Sequence, residues 1–110
     1  MTLTDELLEE LVERIVREVH PSRIYLFGSR AEGTARPDSD LDLMIVGPEE
    51  SRPAESRWRQ LQRVRKSLRE FRSAKDILIY SEEEFQTFRR SLNHIAVHAA
   101  KEGRLLYARQ

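Results

Sequence analysis

Residues 24–46 read IYLFGSRAEGTARPDSDLDLMIV, and they are the most informative segment of the chain. An apolar run bounds it at each end, and each run has the length and composition of a strand. A Gly28-Ser29 turn follows the first run directly, and Asp40 and Asp42 open the second. The stretch therefore predicts two strands, one ending in a small-residue turn and the other beginning with paired carboxylates.

The turn after the first run is a candidate phosphate site. Phosphate needs outward-facing backbone N–H groups, which the start of a helix after a strand supplies together with a favourable dipole. Gly28 has no Cβ, so the backbone can turn sharply and approach a ligand closely. Ser29 adds a hydroxyl donor at a helix N-cap position. Arg30 could reach phosphate oxygens, although exposed arginines are common. We therefore assign Gly28, Ser29 and Arg30 as nucleotide-binding candidates.

The two aspartates are a candidate metal pair. Side chains alternate faces along a strand, so Asp40 and Asp42 project to one side and Leu41 to the other. Magnesium prefers a few carboxylates, waters and substrate phosphates. Together with the turn, the pair predicts metal-dependent chemistry on a nucleoside triphosphate. Two ions would activate an attacking oxygen and stabilise the leaving pyrophosphate.

A third carboxylate is expected on a neighbouring strand. The run KDILIY at residues 75–80 is of strand type, and Asp76 lies near its start. If this strand lies beside the first two, Asp76 comes next to Asp40 and Asp42. It could then bind metal and take the proton from an acceptor hydroxyl.

With this pattern the chain resembles the minimal nucleotidyltransferases of the DNA polymerase β superfamily. Their motif is Gly-Ser, ten residues, then Asp-x-Asp, and here these are Gly28-Ser29, residues 30–39 and Asp40-Leu41-Asp42. The order of the predicted helices and strands indicates an α/β domain, a small mixed sheet with helices covering one face, and the resemblance implies that this is the nucleotidyltransferase fold. The resemblance also implies Mg²⁺, ATP as the usual substrate, and transfer of a nucleoside monophosphate to a hydroxyl with release of pyrophosphate.

The resemblance also implies a partner. Short stand-alone members resemble the antitoxin half of two-gene toxin–antitoxin pairs, whose toxin is a small helical HEPN-type RNase. In that system the antitoxin adenylylates a tyrosine of the toxin and silences it. Carried over by position, Gly28 and Ser29 would hold the triphosphate, Asp40 and Asp42 the metals, and Asp76 the third carboxylate with the base role.

Two other functions stay open at this point. The chain could be a binding module that neutralises its partner by steric occlusion, with a nucleotide site that no longer reacts. Alternatively, the chemistry could act on a small molecule or an RNA end. The short chain argues against enclosure of a small molecule, and zero net charge argues against RNA held by backbone charge alone.

Composition limits the possible domain organisation and functions of the chain. The 110 residues indicate one domain, 1–110, with a single core. The 19 basic and 19 acidic residues cancel, so no global attraction to nucleic acid or membrane is expected. The absence of cysteine excludes disulfides and thiolate metal sites. No apolar run has the length of a membrane span, and the N-terminus lacks a signal-peptide core, so we expect a cytoplasmic protein. Homo- and hetero-oligomers both stay open.

Periodicity predicts the remaining elements. Thr4 is expected to cap a first helix that Pro21 closes. A second helix is expected to start near Pro53, with an apolar stripe that places Trp58 in the core. The basic residues between 57 and 72 are interpreted as a solvated helix face, with an acidic partner or RNA as the functional alternative.

The end of the chain carries three further expectations. Ser81 and Glu84 form a capping box, and Phe85 and Phe88 after them are expected in the core. A last helix is expected at about residues 92–101, where His94 and His98 are one turn apart and interpreted as structural. Residues 104–107 are expected to add a short edge strand.

Overall fold

The computed structural model describes residues 4–28, 40–47, 56–71, 74–88, 90 and 103–109. These residues form, in chain order, α1 (Asp5–Val19), β1 (Arg23–Phe27), β2 (Leu41–Val46), α2 (Arg57–Ser67), β3 (Lys75–Tyr80), α3 (Glu82–Phe88) and β4 (Arg104–Ala108). The helix expected at residues 92–101, with His94 and His98, lies outside the described residues, as does the helical turn expected after Ser29.

The four described strands form one mixed sheet in the order β3-β2-β1-β4. β1 pairs antiparallel with β2 and with β4, whereas β2 and β3 run parallel. The edge position predicted for residues 104–107 is confirmed, since β4 lies at one end of this order. The parallel pair needs a crossover connection, and α2 lies between β2 and β3 in the chain.

Helix α1 begins and ends where its sequence indicates. The Oγ1 of Thr4 accepts a hydrogen bond from the Leu7 N–H over 3.2 Å, and Asp5 and Glu6 occupy the first turn. His20 closes the helix in the left-handed region at φ 45° and donates its N–H to the carbonyl of Val16. The buried side chains of α1 recur at helical spacing and are Leu8, Leu11, Ile15 and Val19.

The main core lies between one face of the sheet and the helices α1 and α2. Every second residue of the central strands enters it, as strand alternation requires. Its buried members from the sheet are Ile24, Leu26, Leu41, Leu43, Ile45, Ile77 and Ile79, and those from α2 and the turn after it are Val64, Leu68 and Phe71. The expected cover on one face is therefore present.

The third helix packs on the opposite face, which the sequence did not predict. Phe85 of α3 is fully buried against Met44 and Val46 and stacks on Tyr25 with ring centroids 5.8 Å apart. The predicted capping box fixes the start of α3, because Ser81 and Glu84 exchange hydrogen bonds of 2.9 and 3.0 Å. On this face, Phe85 therefore covers the carboxyl-terminal half of β2.

The prediction that Trp58 belongs to the core is wrong. Trp58 is 67% exposed, and the described helix begins at Arg57 with Ser56 as its cap. Pro53, the predicted start, lies outside the described residues. The buried face of α2 runs through Gln60 and Val64, and Trp58 precedes Gln60 by two residues, about 200° around the helix. The predicted apolar stripe was therefore extended one turn too far toward the N-terminus, where the side chain at the expected spacing no longer faces the sheet.

None of the described helices is both long enough and apolar enough to cross a bilayer.

Candidate active site

Two of the predicted aspartates face each other across the parallel strand pair. Asp42 of β2 and Asp76 of β3 are register partners, between the pairs Leu41–Lys75 and Leu43–Ile77. Paired positions on neighbouring strands project to the same face, and the strands lie about 4.8 Å apart. The structure therefore brings these two carboxylates together from positions far apart in sequence.

The aspartates lie on the face of the sheet that is opposite the main core. The neighbours of Asp42 along β2, Leu41 and Leu43, are fully buried in that core, so Asp42 points away from it. Phe27 of β1 is the antiparallel partner of Asp42, which extends the row across three strands. Asp42 is half-buried and Asp76 is exposed. The row Phe27–Asp42–Asp76 thus joins an aromatic ring to two carboxylates on one open face.

Gly28 ends β1 directly beside this row. Its φ is +74°, a left-handed conformation that side chains with a Cβ rarely adopt. A Cβ at this position would overlap a carboxylate oxygen of Asp42 and would come within 3.2 Å of its carboxyl carbon. The glycine is therefore required both by the turn and by the close approach of Asp42 to the backbone.

The other predicted site residues are only partly described. Asp40 precedes β2 by one residue and is exposed. Ser29 and Arg30 lie outside the described residues, so their nucleotide-binding role stays a prediction. The structure thus gathers Gly28, Asp42 and Asp76 and leaves Asp40 at the entrance of the strand.

Lys75 positions the start of β3, and no sequence motif had singled it out. Its ammonium donates a hydrogen bond to the carbonyl of Phe71, which closes the loop between α2 and β3. Burial lowers the pKa of Lys75. Because Lys75 pairs with the buried Leu41, it lies on the face opposite Asp76. It therefore fixes the backbone next to Asp76 from the other side of the sheet.

The oxygen donors of this face suit a hard cation. Two carboxylates directly opposite each other on neighbouring strands repel, and a shared cation offsets that repulsion. Among the described residues, no three potential ligand side chains are close enough together to hold a metal ion. Mg²⁺ characteristically binds to one or two carboxylates and completes its coordination with water and substrate phosphates. The donor set fits that ion.

The sequence model of the nucleotidyltransferase domain matches residues 6–108. The chain belongs to this family. The match includes every described helix and strand except the first residue of α1. A nucleotidyltransferase domain transfers a nucleotide from a nucleoside triphosphate, and members of the family generally use a divalent metal. No curated protein matches the sequence.

Solved structures share the fold. One is a toxin–antitoxin complex with AMP-PNP, 24% identical, with a TM-score of 0.54 over 93% of this chain and 74% of the other. Another is a putative nucleotidyltransferase from Sulfolobus solfataricus, 21% identical, with a TM-score of 0.58 over 93% and 78%. A mutant of the toxin–antitoxin pair MntA-HpeT is 20% identical, with a TM-score of 0.52 over 98% and 76%. These similarities establish the polymerase β-like nucleotidyltransferase fold.

Proposed function

We propose that this chain transfers AMP from ATP to a hydroxyl of a protein partner, a tyrosine of a HEPN-type RNase toxin, and thereby neutralises the toxin. The observation that carries the proposal is the register pairing of Asp42 with Asp76 beside the left-handed Gly28. This arrangement supplies two carboxylates and a closely approachable backbone at one point of an exposed face. Family membership gives the transfer of a nucleotide, and the nucleotide and acceptor are our proposal.

Each residue then has a role. Gly28, Ser29 and Arg30 would bind the triphosphate, and Asp40, Asp42 and Asp76 would hold Mg²⁺, two ions in the proposal. The metal supplies charge neutralisation for the triphosphate and the leaving pyrophosphate. The acceptor oxygen forms a bond to the α-phosphorus as the bond from that phosphorus to pyrophosphate breaks. The proton of the acceptor hydroxyl passes to the carboxylate of Asp76.

The proposed nature of the partner rests on solved structures with the same fold. Two of the solved structures with the same fold are toxin–antitoxin complexes, and one of them contains AMP-PNP, an analogue of ATP. These facts concern those proteins, and they make ATP and a toxin the first candidates here. Asp42 and Asp76 lie on an exposed face, which a large partner could complete. We propose a single domain over residues 1–110, acting in the cytoplasm.

The test is intact-mass spectrometry of the protein encoded beside this gene, incubated with the purified chain, ATP and Mg²⁺. We expect AMP-sized mass increments on the partner, and fragmentation should place them on a tyrosine. Asp76→Asn should abolish the increments. Glu83→Gln removes an exposed carboxylate from α3 and should transfer AMP at the wild-type rate. Equal transfer by wild type and Asp76→Asn would refute the assignment of Asp76.

A second candidate is a binding module that acts by steric occlusion. The observation that favours it is that the described residues gather two carboxylates here and no third ligand. Under this function the double variant Asp42→Asn/Asp76→Asn would still bind and inhibit the partner without any mass increment. Loss of inhibition in that variant, with the complex intact, would leave nucleotidyl transfer as the neutralising activity.

A further inference from the structure

Helix α2 presents a solvent-facing surface that combines one aromatic ring with several cations. Trp58, Gln62 and Arg65 recur at positions i, i+4 and i+7, and Arg69 follows at i+11 in the turn after the helix. All four are exposed, and Trp58 is 67% exposed. Arg59 and Lys66 flank this line on the same exposed side. We call these six residues, 58, 59, 62, 65, 66 and 69, the basic face.

The cations of the basic face are not neutralised by the described parts of the chain. Two other arginines of α2 do have acidic partners, since Arg57 pairs with Glu84 and Arg63 with Glu18. In contrast, the four cations of the basic face make no ion pair with any described residue. These cations are Arg59, Arg65, Lys66 and Arg69. Helix α2 itself contains no acidic residue between Arg57 and Ser67. Within the described residues, these four positive charges are therefore exposed and have no acidic partner.

The zero net charge of the whole chain gives no indication of this basic surface. Acidic residues are concentrated on α1, where Asp5, Glu6, Glu9, Glu10, Glu13 and Glu18 outnumber Arg14 and Arg17. The structure thus separates charge between two helices, so a zero net charge does not exclude a local attraction to nucleic acid. The predicted burial of Trp58 would have removed its ring as a stacking surface, but the ring is exposed.

We propose that the basic face binds single-stranded nucleic acid. A base stacks on the indole of Trp58, while the guanidinium groups of Arg65 and Arg69 bind phosphates farther along the strand. At about 1.5 Å per residue, Trp58 and Arg69 are roughly 16 Å apart along the helix axis, so the face accommodates several nucleotides. Stacking on aromatic rings combined with a line of cations is the usual chemistry of sequence-independent single-strand binding. This inference does not rest on the proposed function.

The composition of the basic face favours nucleic acid over an acidic protein. The centre of a protein–protein interface is depleted of charged residues, and a tryptophan anchor there is enclosed by other uncharged contacts. Around Trp58 the neighbours on this face are cations and one amide, Gln62. A stacked base needs only the open ring, and phosphates match the surrounding charge. Three of the four cations are arginines, which bind phosphate bidentately.

The test uses fluorescein-labelled U12 and dT12 oligonucleotides with the full chain. Trp58 is the single tryptophan of the sequence, so quenching of intrinsic fluorescence reports directly on stacking there. Trp58→Ala should weaken binding, measured by anisotropy, about tenfold. Arg65→Gln/Arg69→Gln should lower the magnitude of the log–log salt slope by about 1.4, the value for two lost phosphate contacts. The matched control Arg17→Gln/Arg104→Gln removes the same charge elsewhere and should bind within twofold of wild type.

The outcomes separate the alternatives. Binding of either oligonucleotide with loss in both basic-face variants supports the proposal, and circular dichroism verifies that these exposed substitutions leave the fold intact. Three results would overturn it. The oligonucleotides do not bind at 50 mM salt, they bind all variants equally, or a twelve-residue polyglutamate quenches Trp58 as strongly as they do. The last result would assign the basic face to an acidic protein partner.

Discussion

Gly28 and Asp42 are in such close contact that no side chain fits between them. The Cβ of any other residue at position 28 would overlap the carboxylate of Asp42, and the backbone there has a φ of +74°. Phosphate-binding turns use glycine for close ligand approach. In this chain the glycine also lets a carboxylate of the neighbouring strand lie against the end of β1.

Gly28→Ala should therefore both destabilise the chain and abolish nucleotidyl transfer. The left-handed backbone alone costs about 1–2 kcal/mol for a residue with a Cβ. The added methyl also displaces the carboxylate of Asp42. We expect urea denaturation to show a loss of roughly this size, and activity per folded molecule to fall below detection.

Gly47→Ala is the matched control for this substitution. Its φ is +63°, and a Cβ would lie 2.7 Å from the Oγ of Ser22, far from the aspartates. Stability should fall by a similar amount, while the remaining folded protein should transfer nucleotide normally. Equal loss of activity per folded molecule in both variants would show that Gly28 acts only through stability.

The local elements could be read from the sequence, because each depends on neighbours in the chain. Thr4, Ser81 and Glu84 act as caps where their residue types indicate, and strand alternation correctly separates Asp42 from the buried Leu41 and Leu43. The sequence also predicted that Asp76 would lie on a neighbouring strand. It could not give the register partner, since parallel pairing depends on how α2 packs between the strands.

The incorrect predictions concern the direction of a side chain around a helix and the packing of elements that are distant in sequence. A shift of two residues along a helix rotates a side chain to the other side, and this moved Trp58 from the predicted core to solvent. The side of the sheet on which α3 packs is likewise a tertiary property, fixed by Phe85 against Met44 and Val46. Composition indicated neither result.

Mg²⁺ should stabilise the wild-type chain even without nucleotide. Under the proposed function the ion binds the folded carboxylate pair and not the unfolded chain, so it should shift the unfolding equilibrium by mass action. At one hundred times its dissociation constant, the gain is about 2.7 kcal/mol. Differential scanning fluorimetry with and without Mg²⁺ should show this as a rise in Tm.

The rise should vanish in Asp42→Asn and persist in Glu83→Gln, which removes one exposed carboxylate from α3. A Tm rise of wild-type size in Asp42→Asn would place the bound Mg²⁺ elsewhere.

Trp58→Ala should hardly change stability. Trp58 lies in the first turn of α2, but its exposed side chain takes no part in the Ser56 cap, and a surface substitution of this kind changes stability by no more than about 0.5 kcal/mol. The matched change Leu68→Ala, just after the same helix, removes a fully buried side chain and should cost about 2–5 kcal/mol. Urea denaturation followed by far-UV circular dichroism measures both, since the tryptophan signal is lost in one variant. A loss of more than about 2 kcal/mol in unfolding free energy for Trp58→Ala would show that Trp58 is buried in the core, as the sequence predicted.

Ser22→Ala should destabilise the chain in a pH-dependent way. The Oγ of Ser22 donates to the Oε2 of Glu82 over 2.5 Å, and this hydrogen bond is the main reason that the pKa of Glu82 is lowered from its ordinary value. A carboxyl with a lowered folded pKa contributes stability above its unfolded pKa, and that stability is lost as pH falls through the folded pKa. The Glu82 side chain is 46% exposed, so we expect at most about 1 kcal/mol at pH 7.

The difference in unfolding free energy between wild type and Ser22→Ala should therefore be constant above about pH 6 and shrink as pH falls below the ordinary range of a glutamate. Ser67→Ala is the control, because its hydroxyl donates over 2.7 Å to the backbone carbonyl of Val64 and to no carboxylate. Its cost should not depend on pH. Urea denaturation of the three proteins between pH 3 and pH 7 measures both differences. If the cost of Ser22→Ala were as independent of pH as that of Ser67→Ala, the hydrogen bond to Glu82 would not be what lowers its pKa.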